Sequence, residues 1–258
     1  MASSWNPQQY ERFREERSQP FFDLLTLVEP IPGGRAIDLG CGTGELTRVM
    51  HERVSARSTV GLDNSETMLA GSDRFAGSGL IFKLGTILRF APRTPFDLIF
   101  SSAALQWAPD HPKLFERLVA GLAPGGQLAV QVPANHDHPS HLVAHELARE
   151  EPFAADLRGY VRPVPVLTPG EYAELLHGLG FERQHVRLQV YGHLLKGPEE
   201  VVEWVRGTLL TDYAQRMTPV VFDQFLIAYR ERLLARLSPS KPYFYPFKRI
   251  LLWGRLPS

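Results

Sequence analysis

With 258 residues and 28 basic side chains against 28 acidic ones, the chain is long enough to bury a sizeable core and carries no net charge with which to hold a polyanion or an acidic membrane surface. Cys41 is its single cysteine, which excludes an internal disulfide and any multi-thiolate metal site and fits a reducing compartment. The N-terminus has no apolar signal-like stretch, and no later run reaches the roughly eighteen apolar residues of a membrane span, so a soluble, cytoplasmic protein is expected, with neither nucleic acid nor membrane as partner.

Residues 8–28 place Phe13, Phe21, Leu24, Leu25 and Val28 at helical spacing, and the following Pro and Gly residues break that helix. Short apolar runs then alternate with amphipathic segments. RAIDL is followed by a helix from about Glu45 to Arg53, STVGLD by a helix opening near Ser65, then come GLIFKL, FDLIFSS, a helix from about Pro112 to Leu122, and GQLAVQV. Strands that alternate with helices imply crossovers and a mainly parallel sheet covered on both faces. Beyond residue 133 lie a His-rich segment, a Pro-rich loop and a helix around Glu171 to Leu179. An alternating run, FERQHVRLQVYGHLL, suits an outer strand; two helical segments follow, parted near Thr218-Pro219, and KRILLW offers a last strand.

The stretch most informative about a ligand is DLGCGTGELT, Asp38 to Thr47. A strand, a glycine turn and a helix in succession let ligand atoms approach main-chain N–H groups and the positive end of the helix. The spacing is G-x-G-x-G at Gly40, Gly42 and Gly44; the third glycine of a dinucleotide fingerprint would fall on Glu45 or Thr47, and the Lys-Ser/Thr ending of a phosphate loop is absent. Asp38 beside the turn repels a pyrophosphate and attracts a cation. Asp63, at the end of the second apolar run, is placed to accept both hydroxyls of a ribose. These residues describe a nucleoside without phosphates and with a positive charge.

Together with the FDLIF strand and the LAPGGQLAV turn-and-strand, they resemble the S-adenosylmethionine-dependent methyltransferases of the seven-stranded Rossmann-like class, over roughly residues 35–133. The resemblance implies S-adenosylmethionine as cofactor, with Asp38 beside the loop, Gly40, Gly42 and Gly44 under its methionine and ribose portion, Asp63 on the ribose hydroxyls, and Asn64 and Met68 near the adenine. The third strand departs from the class, offering Thr86 where an Asp is usual; Thr86 and the N–H of Ile87 remain available for the adenine. Ser101, with Ser102, replaces an Ala-Asn pair at the end of the fourth strand, and its carbonyl is expected to face the cofactor.

A closer resemblance, to the trans-aconitate 2-methyltransferase group, is carried by WNPQQYERFREERSQP, FSSAALQWAPDHPKLF, VPANHDHPSH, VVEWVRGT and PFKRILLW over nearly the whole chain. It implies O-methylation of a carboxylate of a small polycarboxylic acid. An ionised carboxylate is already a nucleophile, so no catalytic base is expected, only positioning and desolvation. The acceptor calls for donor and cationic groups, and the candidates are Tyr10, Gln106, Trp107, His138, Trp204, Arg206 and Arg249, with His141, Tyr191 and His193 beside them. Where the group reads Thr-Gly-Leu-Arg-Pro this chain reads Thr208-Leu209-Leu210-Thr211-Asp212. The lost arginine and gained aspartate argue against a highly charged tricarboxylate, which leaves methylation of another small O- or N-nucleophile, or cofactor binding without catalysis, as alternatives.

His138, His141 and His145 share one face of a helix that His138 or Asp137 caps and Pro139 begins, but the order is not H-E-x-x-H and no metal is expected. No G-x-S-x-G is present to mark a hydrolase elbow. The expected architecture is an α/β Rossmann-like, seven-stranded, mainly parallel sheet with helices on both faces and a mostly helical cap. Residues 1–34 form an N-terminal cap segment, 35–133 the cofactor-binding core, and 134–258 the outer strands with helical insertions over the substrate.

Overall fold

The computed structural model describes residues 14–258, so Tyr10, Phe13 and the Trp5-Asn6-Pro7 segment lie outside the described residues. The chain divides into two compact units, one of Arg17–Pro133, Pro165–Gln189 and Arg249–Ser258, the other containing Ala134–Val164 and Val190–Lys248.

The first unit takes in helix α1 (Arg14–Leu25) from Arg17 onward, with Phe21, Leu24 and Leu25 buried. Five strands follow, β1 (Arg35–Leu39), β2 (Ser58–Asp63), β3 (Leu80–Leu84), β4 (Phe96–Ser102) and β5 (Leu122–Pro133). They are joined through α2 (Glu45–Arg53), the single turn α3 (Glu66–Leu69) and α4 (His111–Ala120). Ser65 caps α3 by accepting from Met68 N, and Asp110 caps α4 by accepting from Lys113 N. Two further strands, β6 (Arg183–Leu195) and β7 (Tyr243–Arg255), complete a seven-stranded sheet in the order β3-β2-β1-β4-β5-β7-β6. The pairs β3–β2, β2–β1, β1–β4 and β4–β5 are parallel, while β7 runs antiparallel to β5. The central strands read as near-continuous apolar runs because both of their faces are buried; Leu98, Ile99 and Phe100 of β4 are fully inaccessible. The edge strand β6 alternates instead, as its sequence predicts.

The strand order reverses between β1 and β4, and in such sheets ligands bind outside the carboxyl ends at that reversal. The loops that follow β1 and β4 meet there: a Cβ on Gly40 would lie 2.2 Å from the Cβ of Ala104.

The second unit is mostly helical. It contains α5 (Pro139–Leu147) and α6 (Phe153–Asp156), then, after α7 (Pro169–Gly178) of the first unit, α8 (Glu199–Arg206), α9 (Leu209–Ala214) and α10 (Pro219–Arg236). The break at Thr218-Pro219 falls where the sequence places it, with Thr218 capping α10. A second break at Gly207-Thr208 separates α8 from α9, so the first of the two expected helical segments is two short helices. Val143, Leu147, Val201, Leu210, Phe225 and Leu233 build its core with the aromatic start of β7. Among the described residues no helix is long and apolar enough to cross a membrane.

Candidate cofactor and acceptor site

The glycine loop runs from the end of β1 to the start of α2. Gly40 and Gly44 hold φ of 82° and 84°, left-handed values that an L side chain adopts only at a cost. Space forbids a side chain as firmly as the backbone does, since a Cβ on Gly44 would sit 2.6 Å from the Phe82 ring. The loop is sewn to β2 by main-chain bonds from Gly40 N and Cys41 N to Leu62 O, at 2.7 and 3.1 Å. Asp63 completes the attachment: Oδ2 accepts from Gly42 N and Oδ1 from Ser65 N, each at 2.9 Å. One half-buried carboxylate thereby fixes the loop and the entry to α3 together.

Asp38 stands beside this loop and is 3 % exposed. Its Oδ2 accepts from Thr47 Oγ1 at 2.6 Å, while its Oδ1 is buried without a hydrogen-bond partner. Burial, with the nearby charge of Asp63 adding to it and the Thr47 hydrogen bond opposing it, pushes the Asp38 carboxyl up to about 7. A carboxylate in this position gains from a cation and loses from a phosphate. Cys41 is buried beside it, its thiol pushed well above the ordinary range chiefly by burial, which keeps it unreactive.

The remaining cofactor candidates line the same carboxyl edge. Asn64 is exposed and Met68 half-buried, with its Cε 3.0 Å from where a Gly42 Cβ would stand. Gly85 N donates to Asp63 O at 2.8 Å, which brings the turn after β3 up to the end of β2. Thr86 spends its Oγ1 on Leu88 N at 3.2 Å, capping the short turn Ile87–Arg89. Ser101 is fully buried; its Oγ donates to Leu39 O at 2.7 Å, so its side chain fastens β4 to β1.

Past β4, the turn Leu105–Trp107 carries Gln106 and a Trp107 that is 54 % exposed. Gln106 Nε2 donates to Ala103 O at 2.7 Å, and its Oε1 is buried with no partner. The turn is held by His111, a residue that the sequence offered only as part of a motif. Nε2 of His111 lies 3.0 Å from Leu105 O and must donate to it, which leaves Nδ1 to accept from Tyr172 Oη at 2.5 Å. Burial lowers the His111 pKa, consistent with this neutral tautomer. Tyr172 is 61 positions away on α7, and no local signal links the two.

Arg249 is 6 % exposed and donates through Nη1 to Gln131 Oε1 at 3.1 Å; Gln131 Nε2 in turn donates to Ser102 Oγ at 2.9 Å. A guanidinium on β7 is thus tied across β5 to the end of β4.

The other candidates belong to the second unit. Trp204 is 4 % exposed and packs between the His193 ring, at 4.8 Å, and those of Tyr245 and Phe247, both at 5.7 Å. Arg206 is exposed, 3.8 Å from Glu203. Tyr191 and His193 are buried on β6. His138 caps α5, its Nδ1 accepting from Ser140 N at 3.1 Å, and burial lowers its pKa to about 4; burial lowers that of His141 to about 3. Among the described residues no three His, Cys, Asp or Glu side chains converge as a metal cage.

A family model described as a methyltransferase domain matches residues 10–186. A Deinococcus radiodurans protein described as trans-aconitate 2-methyltransferase is 42 % identical, covering 98 % of this chain and 99 % of its own. A Streptomyces avermitilis protein of the same description is 39 % identical over 96 % of this chain and 95 % of its own. Among solved structures, the YcgJ protein of Bacillus subtilis superposes with a TM-score of 0.60 at 16 % identity, covering 93 % of this chain and 99 % of that one. A Haemonchus contortus phosphoethanolamine N-methyltransferase, solved with S-adenosylhomocysteine, gives 0.54 at 17 % identity, over 93 % of this chain and 53 % of that one. At these identities the structures establish a shared fold.

Proposed function

The chain belongs to the methyltransferase-domain family and, within it, to the group of its trans-aconitate 2-methyltransferase relatives, and from that membership we propose that it esterifies a carboxylate of a small polycarboxylic acid of the trans-aconitate kind. The methyl donor is S-adenosylmethionine, which supplies an electrophilic methyl group on a sulfonium. The residues present suit that group. The observation that carries the reading is Asp38, a buried carboxyl with an unpartnered oxygen beside a glycine loop that has no phosphate-binding lysine.

In this reading the main chain of Gly40, Gly42 and Gly44 and the Asp38 carboxyl receive the methionine portion, Asp63 the ribose, and Asn64, Met68 and Ile87 the adenine end. Asp63 keeps acceptor capacity beyond its two backbone bonds, because an ionised carboxylate offers about four lone-pair sites. Thr86 contributes the shape of its turn more than a hydroxyl, which is already engaged. The acceptor carboxylate attacks without a base, so the protein's task is to place it in line and exclude water. Gln106 and Trp107, held in position by His111, are the residues of the first unit assigned to that task, with the Arg249–Gln131–Ser102 chain supporting them. The lone buried thiol suits a cytoplasmic setting, where we place the reaction.

Incubating the protein with methyl-labelled cofactor and a panel of di- and tricarboxylic acids tests the acceptor class. Base-labile methyl esters are expected. Labelling of phenols or amines in their place overturns the carboxylate assignment.

A further inference from the structure

The loop after β4 brings a second unpaired acceptor to the glycine loop. Ala103 opens it with φ of 55°, a left-handed value that alanine adopts at a cost and keeps only where surrounding bonds enforce it. Those bonds are in place. Ala103 N donates to Gln131 O at 3.0 Å, and three successive carbonyls of the loop are each engaged: Ala103 O accepts from Gln106 Nε2 at 2.7 Å, Ala104 O from Trp107 N at 3.2 Å and Leu105 O from His111 Nε2 at 3.0 Å. The loop meets the glycine loop at Ala104, whose Cβ leaves no room for a side chain on Gly40. All of these residues belong to the first unit.

The Gln106 amide is therefore fixed in orientation. A backbone carbonyl only accepts, so Nε2 faces Ala103 O and Oε1 is the atom left over; it is buried, and no hydrogen bond reaches it. Asp38 Oδ1, two residues before Gly40 on the other loop, is in the same condition. Buried acceptors are costly to leave unpaired, and two of them on a pair of touching loops call for one ligand group with several donors. A carboxylate fails that requirement, since its oxygens only accept and meet lone pairs on both sides. An ammonium meets it with three N–H donors and a positive charge.

We propose that Gln106 is a cofactor contact: its Oε1 and Asp38 Oδ1 together receive the α-ammonium of the methionine portion of S-adenosylmethionine. The assignment rests on the placing of that portion at the glycine loop argued above. Gln106 thereby serves the in-line alignment from the donor side, and the strained Ala103 is the anchor that keeps its amide turned the required way.

The test is titration calorimetry on wild type, Gln106→Met and Gln106→Asn with two probes, S-adenosylhomocysteine and its analogue lacking the α-amino group. Gln106→Met removes the oxygen at similar volume, and Gln106→Asn keeps an amide that is one methylene too short. Losing a hydrogen bond to a charged group is expected to weaken S-adenosylhomocysteine by roughly tenfold or more in both variants, with the deaminated analogue held within about twofold of wild type. Equal weakening of the two probes in both variants shows that Gln106 acts through the shape of its turn and overturns the proposal. Unchanged affinity for both probes overturns it while leaving Asp38 at the methionine portion. A loss confined to S-adenosylmethionine, with S-adenosylhomocysteine unaffected, places the oxygen at the sulfonium and overturns the ammonium assignment. A wild-type protein that binds both probes alike overturns the proposal and the placing of the methionine portion together. None of these outcomes depends on which acceptor is methylated, so failure of the carboxylate assignment is read separately from the ester assay.

Discussion

The two units are held together by different means. In the first, the glycine loop is fixed through backbone: three glycines, main-chain N–H groups and two carboxylates placed at strand ends. In the second, Tyr160, Asp212 and Arg216 are joined by side chains that come together only after the chain has folded. The difference teaches where tolerance lies. A backbone site fails where an added atom has no room, whereas a side-chain cluster fails by degrees as charge and hydrogen bonds are removed.

The largest expected effect tests the first half of that contrast. Gly40→Val forces a branched side chain onto a left-handed backbone and against Ala104, and is expected to cost roughly 3 kcal/mol or more of stability and to abolish measurable cofactor binding. Gly42→Ala meets only the flexible end of Met68 at 3.0 Å, so thermal unfolding should show a smaller loss, with cofactor affinity reduced but measurable. Equal losses in the two variants contradict the view that contact with the loop after β4 is what makes Gly40 intolerant.

The glycine loop was legible because its chemistry is local. The spacing of Gly40, Gly42 and Gly44 and the acid two residues before the first of them describe the ligand before any folding is considered. Asp63 was legible as an acid at the end of a strand, and it does close β2. By contrast, His111 acquires its role from Tyr172, 61 positions away, and Asp212 changes meaning once Tyr160, 52 positions earlier, is seen to donate to it. Nothing in a single sequence links such pairs. Element boundaries slipped for related reasons: β7 begins at Tyr243, well before KRILLW, because Pro246 makes that stretch look unlike a strand. Trp204, read as an acceptor residue, packs among His193, Tyr245 and Phe247, and no periodicity distinguishes a pocket aromatic from a core one.

A second prediction separates the carboxylates of the backbone site. With a carboxyl pushed up to about 7 by burial, Asp38 binds a proton in the free protein that a cationic ligand must expel. Cofactor affinity is therefore expected to rise by up to roughly tenfold per pH unit below pH 7 and to level off above it, and calorimetry on Asp38→Asn should find the dependence gone. The same shift has the opposite sign for stability. The folded carboxyl keeps its proton up to about 7 and the unfolded one releases it near the ordinary 3.8, so the contribution of Asp38 is present below 3.8 and is lost as pH rises through 7. Asp38→Asn should flatten this part of the unfolding profile. A cofactor affinity independent of pH between 6 and 8 in the wild type breaks the assignment of Asp38 to a cation.

In the side-chain unit single changes are graded. Tyr229 is fully buried on α10 and donates to Ser140 O at 2.8 Å. Removing its hydroxyl leaves a buried carbonyl short of a donor, and Tyr229→Phe is expected to lower stability by about 1–2 kcal/mol with cofactor affinity unchanged. Arg236 makes the weakest case. Its guanidinium meets Glu146 in a bidentate pair, at 2.9 and 2.6 Å, which links α10 to α5, yet the two side chains are 40 % and 39 % exposed. Solvent screens an attraction of this kind, and ordering two long side chains offsets much of it, so Arg236→Gln is expected to lower the thermal midpoint only slightly and to lose even that effect in high salt. Arg232 makes a parallel pair with Glu150 one turn earlier, so a double-mutant cycle across Arg232 and Arg236 measures whether the two act as one network. A coupling above about 1 kcal/mol shows that the edge of the helical unit is held by cooperating charges, a rigidity that individual surface pairs do not supply.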